Sequence, residues 1–395
     1  MSSLLGLPDF RKDIKLSILV SISVFIFSIL SQLTSPDYTY VSLDFFCFFL
    51  SSLLAFYIFF FLLGMRVSFW KRFKVSSNGF IFLCLALGMV ALTSKLLDRF
   101  YLRPPVDYFS IASYRQARDS GSNIFSVLSS IIFPLLLMMY GKAAELKIIR
   151  RPHFLFFALA FLLFFFDILM SGSRGILLVC VVALFFNKLN RRNLVFYVPA
   201  LFLASGLFFL VRFASLMDID DVSGVLAKLS TAGYSFFVPA SDFALELMQD
   251  YQGSGIDLVL FSLVQGIQYF SHGFFEFAYI YATHPDFQLD ITALLPQLSK
   301  IQESSYVLER AGAYYTLPGT LYLSFGVLSI FASALCGVFL GLLYVRSATV
   351  SRNARGIVIL SVFLVPFVNG IGGFDLIFFL LAIYLVSMIK VVRVD

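Results

Sequence analysis

His272 and Glu276 lie in the stretch Gly255–Ala282 together with Gln265 and Gln268. Their spacing of three, four and four draws the four side chains into one polar stripe on an otherwise apolar helix. It also sets an imidazole one turn from a carboxylate, a pairing that can orient a general base. Glu309 adjoins Arg310, and His284 and Asp286 flank Pro285 in an expected turn. The competing reading for each is a packed or solvated polar group. For the stripe it is a helix face turned to water. A second set of residues is cationic. Arg174 sits in Ser171-Gly172-Ser173-Arg174-Gly175, Arg212 closes an apolar run, Arg310 precedes another, and Arg99, Arg103, Arg115 and Arg118 share one loop region. A guanidinium fork matches phosphate oxygens, keeps its charge and needs no metal. The glycines around Arg174 would let a bulky headgroup approach the backbone. Arg99 and Arg103 read instead as snorkelling side chains or as partners of a neighbouring Asp.

Two further patterns carry less. Asp218-Ile219-Asp220-Asp221 contains an Asp-x-Asp triplet of the kind that holds a divalent ion, but it reads as a solvated acidic turn. There is no Gly-rich phosphate loop, His-Glu-x-x-His or nucleophile elbow, so neither metal nor cofactor is expected. Aromatic residues, including Tyr269, Tyr314 and Tyr315, crowd the region around the stripe. Their faces suit sugar rings and membrane interfaces equally well.

The elements that must position these groups are membrane helices. Hydrophobic residues make up 60% of the chain and charged ones 13%, with 50 phenylalanines. The mean hydropathy of +0.92 excludes a soluble domain. Apolar runs occur at Ile14–Leu33, Tyr40–Gly64, Gly79–Leu97, Asn123–Tyr140, His153–Met170, Ile176–Phe186, Leu194–Phe213, Leu321–Val345, Ile357–Val368 and Phe374–Ile389. That makes about ten spans, two of them short. Only helices satisfy their own backbone in lipid, so the expected class is an all-α, polytopic bundle. The first span follows a basic leader without a small-residue cleavage site and reads as a retained anchor. Cys47, Cys84, Cys180 and Cys336 lie in apolar runs and read as core residues, not as disulfide or metal partners.

Charge sets the orientation. Most of the 29 basic residues fall in one set of connections, near Arg11, Arg66–Lys74, Lys142–Arg151, Lys188–Arg192, Arg346–Arg355 and Lys390. The positive-inside rule puts these, and both termini, in the cytoplasm. Residues 1–213 then form the first seven spans with an outer loop at 98–122. Residues 214–318 form a large outer loop with amphipathic helices, and 319–395 the last three spans. Gly255–Ala282 is apolar enough to cross, but crossing would break this charge pattern. It reads as an amphipathic helix at the outer interface, or packed over the bundle with its stripe facing a cavity. The spans hold few charges, Asp44 and Asp167 being the main ones, which favours an outer-face enzyme over a carrier.

The motif Ser171–Gly175 at the mouth of a span, with Gly312-Ala313-Tyr314-Tyr315-Thr316-Leu317-Pro318-Gly319 running into Tyr322-Leu323-Ser324-Phe325-Gly326, resembles the Wzy-type O-antigen polymerases. The topology is similar over the whole chain, although Ser324 stands where an acidic residue is expected. The resemblance implies a GT-C-like bundle in a bacterial inner membrane. It implies transfer of a growing polysaccharide from undecaprenyl pyrophosphate to the next undecaprenyl-pyrophosphate-linked oligosaccharide repeat, with inversion. Arg174, Arg212, Arg310, Arg115 and Arg118 would hold pyrophosphate. His272, then Glu276 and Glu309, would serve as base, and Tyr269, Tyr314 and Tyr315 would contact sugar. A chain-length regulator and a flippase are implied partners, alongside membrane lipid, and no nucleic acid. The alternatives are an O-antigen ligase and a transporter of polysaccharide or lipid-linked oligosaccharide.

Overall fold

A computed structural model describes residues 7–31, 36–65, 72–102, 123–170, 174–186, 246–247, 249–251, 254, 256–283 and 315–392. It is mostly helical (84%). In chain order the elements are α1 (Leu7–Leu30), α2 (Leu43–Phe59, continued by a π turn Phe60–Gly64), β1 (Phe73–Ser76), α3 (Ser77–Phe100), α4 (Ile124–Glu145), α5 (Arg151–Met170) and α6 (Arg174–Phe185). There follow α7 (Ile256–Thr283), α8 (Leu317–Phe325), α9 (Ser329–Ser347), α10 (Arg352–Leu364), α11 (Leu376–Ser387) and β2 (Ile389–Val392).

Among the described residues, five helical segments are long and apolar enough to cross a membrane: Leu43–Gly64, Ser77–Phe100, Ile124–Glu145, Arg151–Ile168 and Leu317–Ser347. Ile14–Leu30, Gly175–Leu184 and Leu376–Ser387 are shorter apolar helices. The expected span Leu194–Phe213 lies outside the described residues. The expected span Leu321–Val345 falls within the segment Leu317–Ser347, inside which Gly326, at φ 56°, separates α8 from α9. A side chain disfavours that conformation, and glycine does not. The mostly helical fold agrees with an all-α bundle; it also carries one short parallel strand pair, β1 with β2, Phe73 opposite Ile389.

The chain divides into two compact units. The first comprises Met1–Ile58, Leu189–Cys336 and Val362–Gly370. Its core is phenylalanine. The Phe274 ring of α7 lies 5.5 Å from Phe25 of α1, and 5.1 and 5.2 Å from Phe45 and Phe49 of α2. Lipid tails are as apolar as these rings, so close packing, not expulsion from water, must hold such a contact in a bilayer. The Ser21 hydroxyl of α1 donates to the Phe363 carbonyl at 2.6 Å. Thr316 caps α8, its hydroxyl accepting from the Gly319 amide. Residues 365–370 are irregular and buried.

The second unit comprises Phe59–Lys188, Gly337–Ser361 and Ile371–Asp395. Here the π turn of α2 meets α9 glycine to glycine: a Cβ on Gly64 would sit 2.6 Å from the Gly341 Cα. Gly337 and Gly341 make a small-xxx-small pair, the pattern that lets membrane helices touch along their backbones. At one end of this unit β1 and β2 pair, and Lys142 of α4 donates to the carbonyls of Val386 and Ile389. Glu145 accepts from the Arg352 amide at the start of α10. Asn353 donates to the Leu184 carbonyl of α6. A cavity of about 320 Å³ opens there beside Tyr140, Glu145, Ser351 and Asn353. These are connections that the charge count assigns to a single side.

Candidate functional site

Within the first unit, His272 and Glu276 are both 2% exposed. Residues 271–278 of α7 are all buried, whereas Ile256, Val259 and Leu263 near its start are exposed. The stripe therefore does not face water at these two positions. His272 Nδ1 lies 3.9 Å from Glu276 Oε1, an ion pair only when the imidazole is protonated. By helical spacing the two residues sit on a different face from Phe270, Phe274 and Phe277, whose rings meet Phe367, Phe25 and Phe45.

Gly273 explains how α7 comes so close to its neighbours. A Cβ there would lie 2.3 Å from the Phe367 carbonyl oxygen and 3.0 Å from the Thr316 amide nitrogen. The same corner is tied by the Leu317 amide, which donates to the Val365 carbonyl. This brings Tyr315 into the field of Glu276. Burial, and then the Glu276 carboxylate, push the Tyr315 phenol up from its ordinary value, so it stays a hydrogen-bond donor at working pH. The first unit thus groups an imidazole, a carboxylate and a protonated phenol, a set able to accept and relay a proton. Ser324, in the buried middle of α8, is 0% exposed.

The second unit holds a different site. Arg174 is the first residue of α6. The amides of a helix start and its dipole attract anions. Close by in sequence, Asp167 in the last turns of α5 pairs with Lys95 of α3 and, at 2.5 Å, with Arg99 Nη2. Asp98, fully buried, accepts from Asn123 Nδ2 at 2.6 Å. Asn123 in turn caps α4 through the amides of Phe125 and Ser126. Arg99 is thus paired with Asp, as its sequence position suggested. Lys95 and Asp98 lie in the last turns of α3, a helix long and apolar enough to cross a membrane, and a count of loop charges passes over their pairing. The signal for it was two cations four residues apart near the end of one apolar run.

Of the remaining candidates, Arg115, Arg118, Arg212, Glu309, Arg310 and Tyr314 lie outside the described residues, as do His284 and Asp218–Asp221. Tyr269 and Arg174 are described by their backbone alone. Among the described residues no group of three or more His, Cys, Asp or Glu could hold a metal ion. Cys47, Cys84, Cys180 and Cys336 are free.

These features define a helical protein with several helices long and apolar enough to cross a membrane and with buried polar clusters. Compared with family models, curated proteins and solved structures, the chain matches none.

Proposed function

We propose that this chain polymerises lipid-linked oligosaccharide repeats at the outer face of a bacterial inner membrane, with both termini cytoplasmic. The observation that carries the reading is the backbone position of Arg174, the first residue of α6, where helix amides and dipole attract an anion. A lipid pyrophosphate is the anion that this helix start, in a chain with an arginine there, would take. In the reaction the acceptor hydroxyl attacks the anomeric carbon of the growing chain. Its proton passes to a base, the bond to pyrophosphate breaks, and undecaprenyl pyrophosphate leaves with the electron pair. The candidate base is His272, then Glu276 and Glu309, and Arg174, Arg212 and Arg310 are the candidate cations for the leaving charge. Tyr269, Tyr314 and Tyr315 are the candidate sugar contacts. Because His272 and Glu276 are closed to solvent, the cycle requires an opening that admits the acceptor.

The test is Arg174→Lys and Arg174→Ala, each checked for protein level. Lysine keeps the charge and loses the fork, so it impairs polymer formation, and alanine nearly abolishes it. Loss of one charge-assisted contact in the transition state costs roughly 1.5–3 kcal/mol, or roughly ten- to a hundred-fold in rate. A normally produced Arg174→Ala protein that builds full-length polymer would remove Arg174 from the site. A transporter is the second reading, favoured by the buried charges at Lys95, Asp98 and Asp167. A deletion strain separates the two. Surface glycan with a single repeat points to the polymerase, and surface glycan with none points to the transporter.

A further inference from the structure

We infer that Lys95, Asp98, Arg99, Asn123 and Asp167 act as a positioning clamp for the anion site at Arg174, a role that rests on the polymerase reading. Lys95 and Arg99 project from one face of α3, and each takes one oxygen of the same α5 carboxylate. The Lys95 ammonium also lies 5.7 Å from the centre of the Phe164 ring, one turn earlier on α5. Asp98 continues the chain to Asn123, which fixes the first turn of α4 by a reciprocal capping box with Ser126. Three helices are therefore locked together at one level by alternating charges.

Stability alone does not account for this arrangement. Ion pairs taken out of water are commonly no better than apolar side chains of the same size. What they provide is one permitted geometry, since every other register leaves a buried charge without its counter-ion. Asp167 stands three residues before the last residue of α5, and α6, which packs on α5, begins at Arg174. The cations are already matched by Asp98 and Asp167, so the cluster does not compete for phosphate. It holds the end of α5 and the start of α6 where Arg174 must meet it.

The experiment uses the purified full chain. Asp167→Asn removes the shared carboxylate charge, and Asp167→Glu keeps a carboxylate for both Lys95 and Arg99. Amide hydrogen exchange is read at the end of α5 and the first turn of α6, with α7 as the internal control. Turnover and acceptor KM are read with lipid-linked repeats. Asp167→Asn should speed exchange at the α5–α6 end and leave α7 unchanged. It should lower kcat about ten- to a hundred-fold with little change in KM, and Asp167→Glu should keep most of both. Unchanged exchange at the α5–α6 end, equal loosening of α7, or an Asp167→Glu protein as impaired as Asp167→Asn overturns the clamp. Local loosening in Asp167→Asn that Asp167→Glu avoids, in a protein whose wild type makes no polymer, upholds the clamp and sinks the polymerase reading. If Asp167→Asn is poorly produced, Asn123→Ser keeps the cap, loses the amide to Asp98, and should show the same local change at smaller size.

Discussion

His272 is the residue on which the chemical reading turns. It is buried beside Glu276 at a separation that a modest rotation of either side chain would close. If it takes the acceptor proton, its removal acts on the transition state and hardly on substrate binding. His272→Ala should therefore lower kcat on the order of a hundred-fold or more while leaving KM for the lipid-linked acceptor nearly unchanged. Glu276→Gln, which keeps the shape and loses the charge, should show a smaller loss of the same kind. Single-turnover kinetics in detergent checks both. Unaltered turnover in His272→Ala would pass the base to Glu276 or Glu309.

At the scale of elements, the close approaches were harder to foresee than the helices. Gly273 sits in the middle of α7, where alanine ordinarily stabilises a helix by roughly 0.5–1 kcal/mol. Here the added methyl would run into the Phe367 carbonyl. Gly273→Ala should thus lower the thermal midpoint, against the sign of helix propensity. A raised midpoint would mean that α7 does not pack as described. The periodicity that placed His272 and Glu276 on one face was legible because spacing depends only on helix geometry. What that face meets was not legible, because burial is decided by segments far away in the chain, such as Thr316 and Phe367. The same holds for the Gly64–Gly341 contact. Hydropathy located both helices, but only the fold shows which glycines meet. The break at Gly326 was hidden because the residues on either side of it are equally apolar.

At the scale of the molecule, charge segregation was the most readable property. The second unit collects Lys74, Lys142, Arg352 and Lys390 at the end where its two strands pair. Asp98, Asn123 and Asp167 meet at the opposite ends of their helices. Alkaline phosphatase fused after Thr349 or after Val392 should be inactive, and fused after Tyr101 active. Discordant results at Thr349 and Val392 would contradict the placement of the α9–α10 connection and β2 at one end of the second unit, whatever the absolute orientation. Lys95 and Asp98 escaped the sequence reading because counting charges by loop assigns every ionisable group to water.

The parallel pair also bears on how the chain is made. Ser77, beside β1, donates to the carbonyl of Val392, 315 residues later. A ribosome adding roughly 5–20 residues per second needs roughly fifteen seconds to a minute to cover that distance. For that interval β1 offers an open edge, and the Lys142 ammonium lacks the carbonyls of Val386 and Ile389. The second unit therefore cannot finish assembling during synthesis of its early helices. Its last-made strand completes the structure begun by its first, and any nascent chain stopped short of β2 presents quality-control proteases with an exposed strand edge and an unmatched buried lysine.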